Sequence, residues 1–186
     1  MPDLNHKLLV LAGPTAVGKG TVAKFIIEHN PQVVLSVSAT TRAPRPGEVD
    51  GVSYYFLTDS EFDDLIASGQ MLEFAVVHGK HRYGTPRQPV EAALAEGKAV
   101  LLEIDIQGAR QVKQHMPEAT TVFIAPPSWD ELLRRLEGRG TENEAEKATR
   151  LETARIELAA QGEFDHVIVN DEVAKCAAAV VELIMS

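Results

Sequence analysis

The chain has 186 residues, 45% hydrophobic and 24% charged, enough for one domain with a substantial core. Its 27 acidic against 18 basic residues give a formal charge of −9, which argues against a nucleic-acid binder, since that needs a broad basic face. One cysteine, Cys176, excludes an internal disulfide framework and fits a reducing cytoplasm, the histidines lack paired metal-ligand spacing, and the apolar run at 8–12 is too short for a signal peptide or a membrane span.

Apolar runs alternate with amphipathic segments, which predicts an α/β fold on a mainly parallel sheet. Residues 7–12 predict a buried strand, and 18–29 a helix with Val22, Phe25 and Ile26 at helical spacing, stopped by Pro31. Residues 33–38 predict a second strand. The texture then changes. Residues 40–51 carry Pro44, Pro46, Gly47 and Gly51 and predict loop and turn, while 60–68 and 89–96 predict short helices closed by Gly69 and Gly97. Residues 38–97 thus read as an insertion carrying substrate contacts. Residues 99–104, 121–124 and 166–169 predict three more strands. Ser128-Trp129-Asp130-Glu131 has the form of a capping box before a helix with Leu132, Leu133 and Leu136. Gly138 and Gly140 precede the polar residues 141–147, which read as a glycine-hinged mobile lid or as an ordinary helix corner. Residues 171–184 predict a closing helix in which Cys176 packs.

The strongest motif is Gly13-Pro14-Thr15-Ala16-Val17-Gly18-Lys19-Gly20-Thr21, placed between a predicted strand and a predicted helix as a phosphate loop requires. Glycines let backbone N–H groups converge on phosphate oxygens, and the helix N-terminus adds partial positive charge. Lys19 can reach the β- and γ-phosphates. The residue after the lysine is Gly20 and the hydroxyl comes one later, at Thr21, so direct magnesium ligation there stays open. Arg42 and Arg45, and the cluster Arg134, Arg135 and Arg139, are the local cations available to further phosphates.

A second block names a reaction. Ser38-Ala39-Thr40-Thr41-Arg42-Ala43-Pro44-Arg45-Pro46-Gly47-Glu48, followed by Gly51 and Tyr54, strongly resembles the GMP-binding segment of guanylate kinases. So do Tyr83-Gly84-Thr85, Ile104-Asp105-Ile106-Gln107-Gly108, Ile124-Ala125-Pro126-Pro127-Ser128, Leu136-Glu137-Gly138-Arg139-Gly140-Thr141 and Val169-Asn170-Asp171, in the family's order. The resemblance implies an α/β P-loop kinase core with a parallel five-stranded sheet flanked by helices (about residues 1–37, 98–137 and 151–186). It also implies a GMP-binding insertion (about 38–97) and a helical lid (about 138–150). The implied activity is transfer of the γ-phosphoryl group of ATP, with Mg2+, to GMP and dGMP, by a cytoplasmic enzyme without nucleic-acid or membrane partners.

The same resemblance assigns residues. Arg42 and Arg45 hold the acceptor phosphate, with hydroxyls from Tyr54 and Tyr83, and Glu73 reads guanine. The loop from Gly13 to Thr21, Arg135 and Arg139 hold the phosphates of ATP, Asn170 lies near its adenine, and Arg150 approaches the transferred group. Lys19, Arg42, Arg139 and Arg150 form the catalytic set.

Elementary chemistry fits these residue types. A phosphomonoester has a second pKa of about 6, so the acceptor oxygen is already a nucleophile and no general base is needed. The reaction needs two anions neutralised and held in line, and arginine suits bidentate capture of one of them. Guanine offers O6 as an acceptor and N1–H and N2–H as donors. A hydroxyl such as Ser38 or Thr85 suits the first, and the carboxylates Glu73 and Asp105 suit the second. Glu103 stands where many relatives carry aspartate, as a residue near magnesium or GMP or as a cap or ion pair; Tyr83 could equally be packing. Two other readings share the phosphate loop: a kinase for a different monophosphate, and a non-enzymatic module of the same fold.

Overall fold

The computed structural model describes residues 7–77, 80–137 and 144–186. In chain order its elements are β1 (Leu8–Ala12), α1 (Lys19–His29), β2 (Val33–Leu35), β3 (Ala39–Thr40), β4 (Tyr55–Phe56), α2 (Asp59–Ala67), β5 (Met71–Val77), β6 (His81–Pro86), α3 (Arg87–Ala95), β7 (Ala99–Glu103), α4 (Ile106–His115), β8 (Thr120–Ala125), α5 (Trp129–Glu137), α6 (Glu144–Ala159), β9 (His166–Val169) and α7 (Val173–Met185).

All five residues of β1 are buried, because this strand is covered on both faces. It stands in the middle of a parallel five-stranded sheet ordered β2-β7-β1-β8-β9. Alternate residues face opposite layers. Leu8, Val10 and Ala12 join Val90 and Leu94 of α3 and Ile106, Ala109 and Val112 of α4. Leu9 and Leu11 join Val22, Ala23 and Ile26 of α1 and Cys176, Ala177, Val180 and Ile184 of α7. Each buried valine, leucine or isoleucine among them contributes roughly 1.5–3 kcal/mol against exposure. Cys176 packs here as expected, and burial pushes its thiol up to about 11.

The insertion has a sheet that the sequence did not announce. Its strands run β4-β3-β6-β5, around a small core of Ala39, Phe62 and Met71. Helix α2 opens with a true capping box: the Thr58 hydroxyl accepts from the Glu61 N–H, and the Glu61 carboxylate accepts from the Thr58 N–H at 2.7 Å. Arg82 of β6 lies over the Phe62 ring and pairs with Asp59 and Asp63, which ties α2 to the sheet. This sheet ends at Pro86, and α3 turns Val90 and Leu94 into the main core.

At Ser128 the hydroxyl accepts from the Glu131 N–H, but the Glu131 carboxylate pairs with Arg134 and Arg135, so the box is half realised. Gly138, Arg139 and Gly140, with the polar residues to 143, lie outside the described residues. Beyond them α6 is one helix from 144 to 159, so the expected lid boundary at 150 falls inside it. Leu151, Ala154 and Leu158 of α6 pack with Leu132 and Leu136 of α5 and with Ala16. Arg155 lies over the Trp129 ring. The base of α6 is thereby seated on the loop after β1.

Candidate active site

The loop after β1 turns where only glycine fits. Gly13 has φ +146°, and a Cβ there would meet the Ile124 carbonyl oxygen of β8 at 2.4 Å. Gly18 has φ +96°, with the Asn170 side chain 2.8 Å from where its Cβ would stand. Asn170 is buried behind the loop: its Nδ2 donates to the Val17 carbonyl at 2.9 Å, and its own N–H donates to Ala125. Arg135 donates to the same Val17 carbonyl at 3.1 Å. Both residues were expected near the donor nucleotide, and both shape the wall of its loop.

Thr15, Ala16, Gly18, Lys19, Gly20, Thr21, Glu103 and Arg135 line a polar cavity of about 440 Å³. Lys19 folds back into the loop, donating to the Gly13 carbonyl at 2.8 Å and to Pro14 at 3.2 Å. Burial lowers its pKa, against the opposing pull of Glu103, Glu157 and Asp105. The site is thus poised for added negative charge: an ammonium is held where desolvation weakens it until an anion arrives. The Thr15 N–H already has one, donating to the Glu157 carboxylate of α6 at 3.1 Å. Burial raises the pKa of Glu157, and Lys19 opposes that rise.

A second cluster gathers on β5 and β6. The antiparallel register puts Glu73 opposite Thr85, and the Thr85 hydroxyl donates to Glu73 Oε1 at 2.6 Å. Both side chains are buried. Burial pushes the Glu73 carboxyl up to about 7, and the nearby Asp105 charge adds to the rise. Asp105 is the N-cap of α4, accepting from the Gly108 N–H at 2.7 Å. Its charge is felt by Lys19 as well as by Glu73, so one carboxylate lies electrostatically between the phosphate loop and this cluster. Ser38 lies at the entrance to β3, half-buried, its carbonyl accepting from the Tyr55 N–H.

The third group is cationic. Arg42 follows β3, crosses the Tyr54 and Phe56 rings, and donates from Nε to the Tyr83 hydroxyl at 3.2 Å. Nη1 donates to the Ala43 carbonyl and to Glu48, and Nη2 donates to Glu48 at 2.8 Å. These bonds use four of the five guanidinium N–H groups. Glu48 also accepts from the Arg45 N–H at 2.7 Å, and Arg42 holds its carboxyl below the usual range. Tyr83 stands edge-on to Tyr54, so it serves Arg42 through its hydroxyl while its ring packs.

Sequence reasoning missed Glu48 and Glu157. Glu48 was quoted within a motif without a role. Glu157 follows Arg150 by seven residues, two turns along one helical face, a spacing with meaning only once α6 is seen.

Glu103 stands beside Gly20, both its carboxylate oxygens 3.5 Å from where a Cβ would lie. Among the described residues no cluster of three or more His, Cys, Asp or Glu is placed to hold a metal. The single Glu103 carboxylate beside the loop fits magnesium, which keeps its waters and is bound mostly through substrate phosphates with one or two protein carboxylates. Arg150 is half-buried on α6. No helix among the described residues is long and apolar enough to cross a membrane.

Comparison with known proteins shows the family. Residues 5–186 match the guanylate kinase family model. The chain is 65% identical to a guanylate kinase of Leifsonia xyli, over 96% of this chain and 70% of that protein. It is 60% identical to one of Nocardia farcinica, over 97% and 94%. The crystal structure of guanylate kinase from Anaplasma phagocytophilum superposes with a TM-score of 0.73 at 36% identity, covering 96% of this chain and 84% of that one. A shikimate kinase from Bacteroides thetaiotaomicron, 13% identical with a TM-score of 0.52, shares the fold alone. The chain belongs to the guanylate kinase family.

Proposed function

We propose that this enzyme transfers the γ-phosphoryl group of ATP to GMP, and to dGMP, giving ADP and GDP or dGDP, with the three groups of residues above as its donor, base and acceptor sites. The observation that carries the reading is a buried Glu73–Thr85 pair sharing the field of Asp105 with the lysine of a phosphate loop.

A phosphate oxygen of GMP attacks the γ-phosphorus, a new P–O bond forms, and the bond to the β–γ bridging oxygen breaks, leaving its electron pair on ADP. The acceptor oxygen carries no proton at neutral pH, so this chain supplies position and charge rather than a base. Loop N–H groups and Lys19 hold the β- and γ-phosphates, with Gly13 to Thr21 as their cradle. Arg135 stiffens that cradle, and Asn170 joins the adenine side to it. Arg42 and Arg45 clamp the acceptor phosphate, with hydroxyls from Tyr54 and Tyr83. Glu73 accepts from guanine N1–H and N2–H, Asp105 supports it, and Thr85 or Ser38 donates to O6. Arg150, and Arg139 beyond the described residues, bring charge to the transferred group. Magnesium bound with ATP would neutralise phosphate charge, and Glu103, whose carboxylate stands beside Gly20 of the loop, is the residue that would hold it through its waters. The buried thiol, held protonated, suits the cytoplasm, where both nucleotides are found.

A coupled assay with ATP, magnesium and each of AMP, GMP, CMP and UMP tests the reading. Turnover is expected with GMP at an efficiency at least about 100-fold above the others, since a site built to bond a base rejects one lacking the partner groups. Comparable turnover of AMP would overturn the base site.

A further inference from the structure

We propose that Gln111 is a positioning residue for Glu73, and that helix α4 is the rack on which the guanine-reading carboxylate is mounted. The proposal rests on the assignment of Glu73 to guanine.

Strand β5 is the edge of its sheet, so outward N–H and C=O groups have no neighbouring strand. The ladder is also irregular between Met71 and Glu73, where the register shifts. Strand pairing alone therefore fixes Glu73 weakly on its N-terminal side. Helix α4 supplies what the ladder lacks. The Gln111 Nε2 donates to the Phe74 carbonyl at 3.0 Å, and its Oε1 accepts from the Phe74 N–H at 3.1 Å. One planar amide thus meets both backbone groups of the residue after Glu73, as the peptide of another strand would. His115 Nδ1 lies 2.7 Å from the Leu72 carbonyl, the residue before Glu73. Gly108 completes the set, since a Cβ there would stand 2.9 Å from Glu73 Oε2, so the carboxylate lies directly on the helix backbone.

Residues 108, 111 and 115 are spaced by three and four, one face of a helix. They meet residues 73, 74 and 72 in turn. Two flanking backbone points and the carboxylate itself are therefore referred to one rigid element, which also carries Asp105 as its cap. A site needs this support, because a carboxylate displaced by a fraction of an ångström weakens the pair of bonds it accepts. On the proposed reading one of that pair goes to N2, the group that distinguishes GMP from IMP.

The test is Gln111→Met, which keeps length and helix compatibility and removes both hydrogen bonds. GMP KM is expected to rise roughly tenfold, with kcat and ATP KM nearly unchanged and the GMP-over-IMP preference reduced. Gln111→Glu, which sets a carboxylate against the Phe74 carbonyl, should do at least the same damage. In the double variant with Glu73→Gln, the preference should match that of Glu73→Gln alone, since Gln111 acts only through Glu73. If Gln111→Met keeps the wild-type preference while Glu73→Gln loses it, Gln111 is a structural tether and the proposal fails alone. If Glu73→Gln itself keeps the preference, the guanine assignment fails and takes the proposal with it.

Discussion

Replacing Lys19 with methionine is expected to lower kcat about 1,000-fold, while the protein still folds and still binds GMP. The ammonium sits among Glu103, Glu157 and Asp105, with its hydrogen bonds going to loop carbonyls. On the proposed reaction it is the cation that meets the charge developing on the transferred group, and in a site of low dielectric such a charge acts strongly. Fold retention follows because the loop is pinned by other means: the close approach of Gly13 to β8 and the Asn170 bond to Val17. Methionine spares the packing and removes only charge and donors. The measurement is single-turnover phosphoryl transfer at saturating ATP and GMP, beside a thermal melt. A folded variant with wild-type kcat would refute the role.

Glu73→Gln carries the second large effect, and it should make the ligand-free protein more stable while crippling its use of GMP. Burial holds the Glu73 carboxyl near 7 against an ordinary 4.5. Between those values the folded state binds more protons than the unfolded chain, so wild type loses stability as pH rises through that window. The loss totals about 3 kcal/mol and is complete above pH 7. Glutamine does not titrate, so the variant should melt higher than wild type at pH 8 and level with it near pH 4. Catalysis runs the other way. Guanine N1–H and N2–H need acceptors, and the amide turns a donor on one of them, a penalty on the order of 2–4 kcal/mol, or roughly 30- to 1,000-fold in kcat/KM for GMP. IMP, without the amino group, should lose less.

The pH profile follows from the same carboxyl. Below pH 7 wild-type Glu73 must give up a proton to accept from guanine, so kcat/KM for GMP should fall by up to about tenfold per unit. The acceptor phosphate titrates at about 6 as well, and Glu73→Gln isolates that contribution because only the phosphate remains. Equal falls in the two proteins would show that Glu73 stays ionised throughout.

The core was legible because parallel strands covered on both faces must be apolar throughout. Leu8–Ala12, and Ala99–Glu103 up to its exposed last residue, advertise themselves in this way. The insertion's sheet was not. Its β3 and β4 are two residues each, and β6 reads His-Arg-Tyr-Gly-Thr-Pro, with glycine and proline where a strand signal should be. β3 exists through pairing with β6 more than forty positions away and with β4, itself held only by that pairing. Helix α4 hid behind an internal glycine and a polar face, and α6 behind its charge. Hence Asp105 was seen as a site carboxylate but not as the cap of a helix. Candidate site residues were legible where a motif carries them. Glu48 and Glu157 were not, since each is a carboxylate defined by the cation or N–H it holds, and the partner of Glu157 lies at the other end of the chain.

Cys176 has a use that owes nothing to catalysis. As the sole thiol, almost fully buried and held protonated, it is shut off from alkylating reagents while α7 stays on the sheet. Its rate of labelling therefore counts the moments at which that layer parts, so the chain carries a clock for its own opening. Each nucleotide that binds only the folded form slows this clock by a factor of one plus its concentration over its Kd.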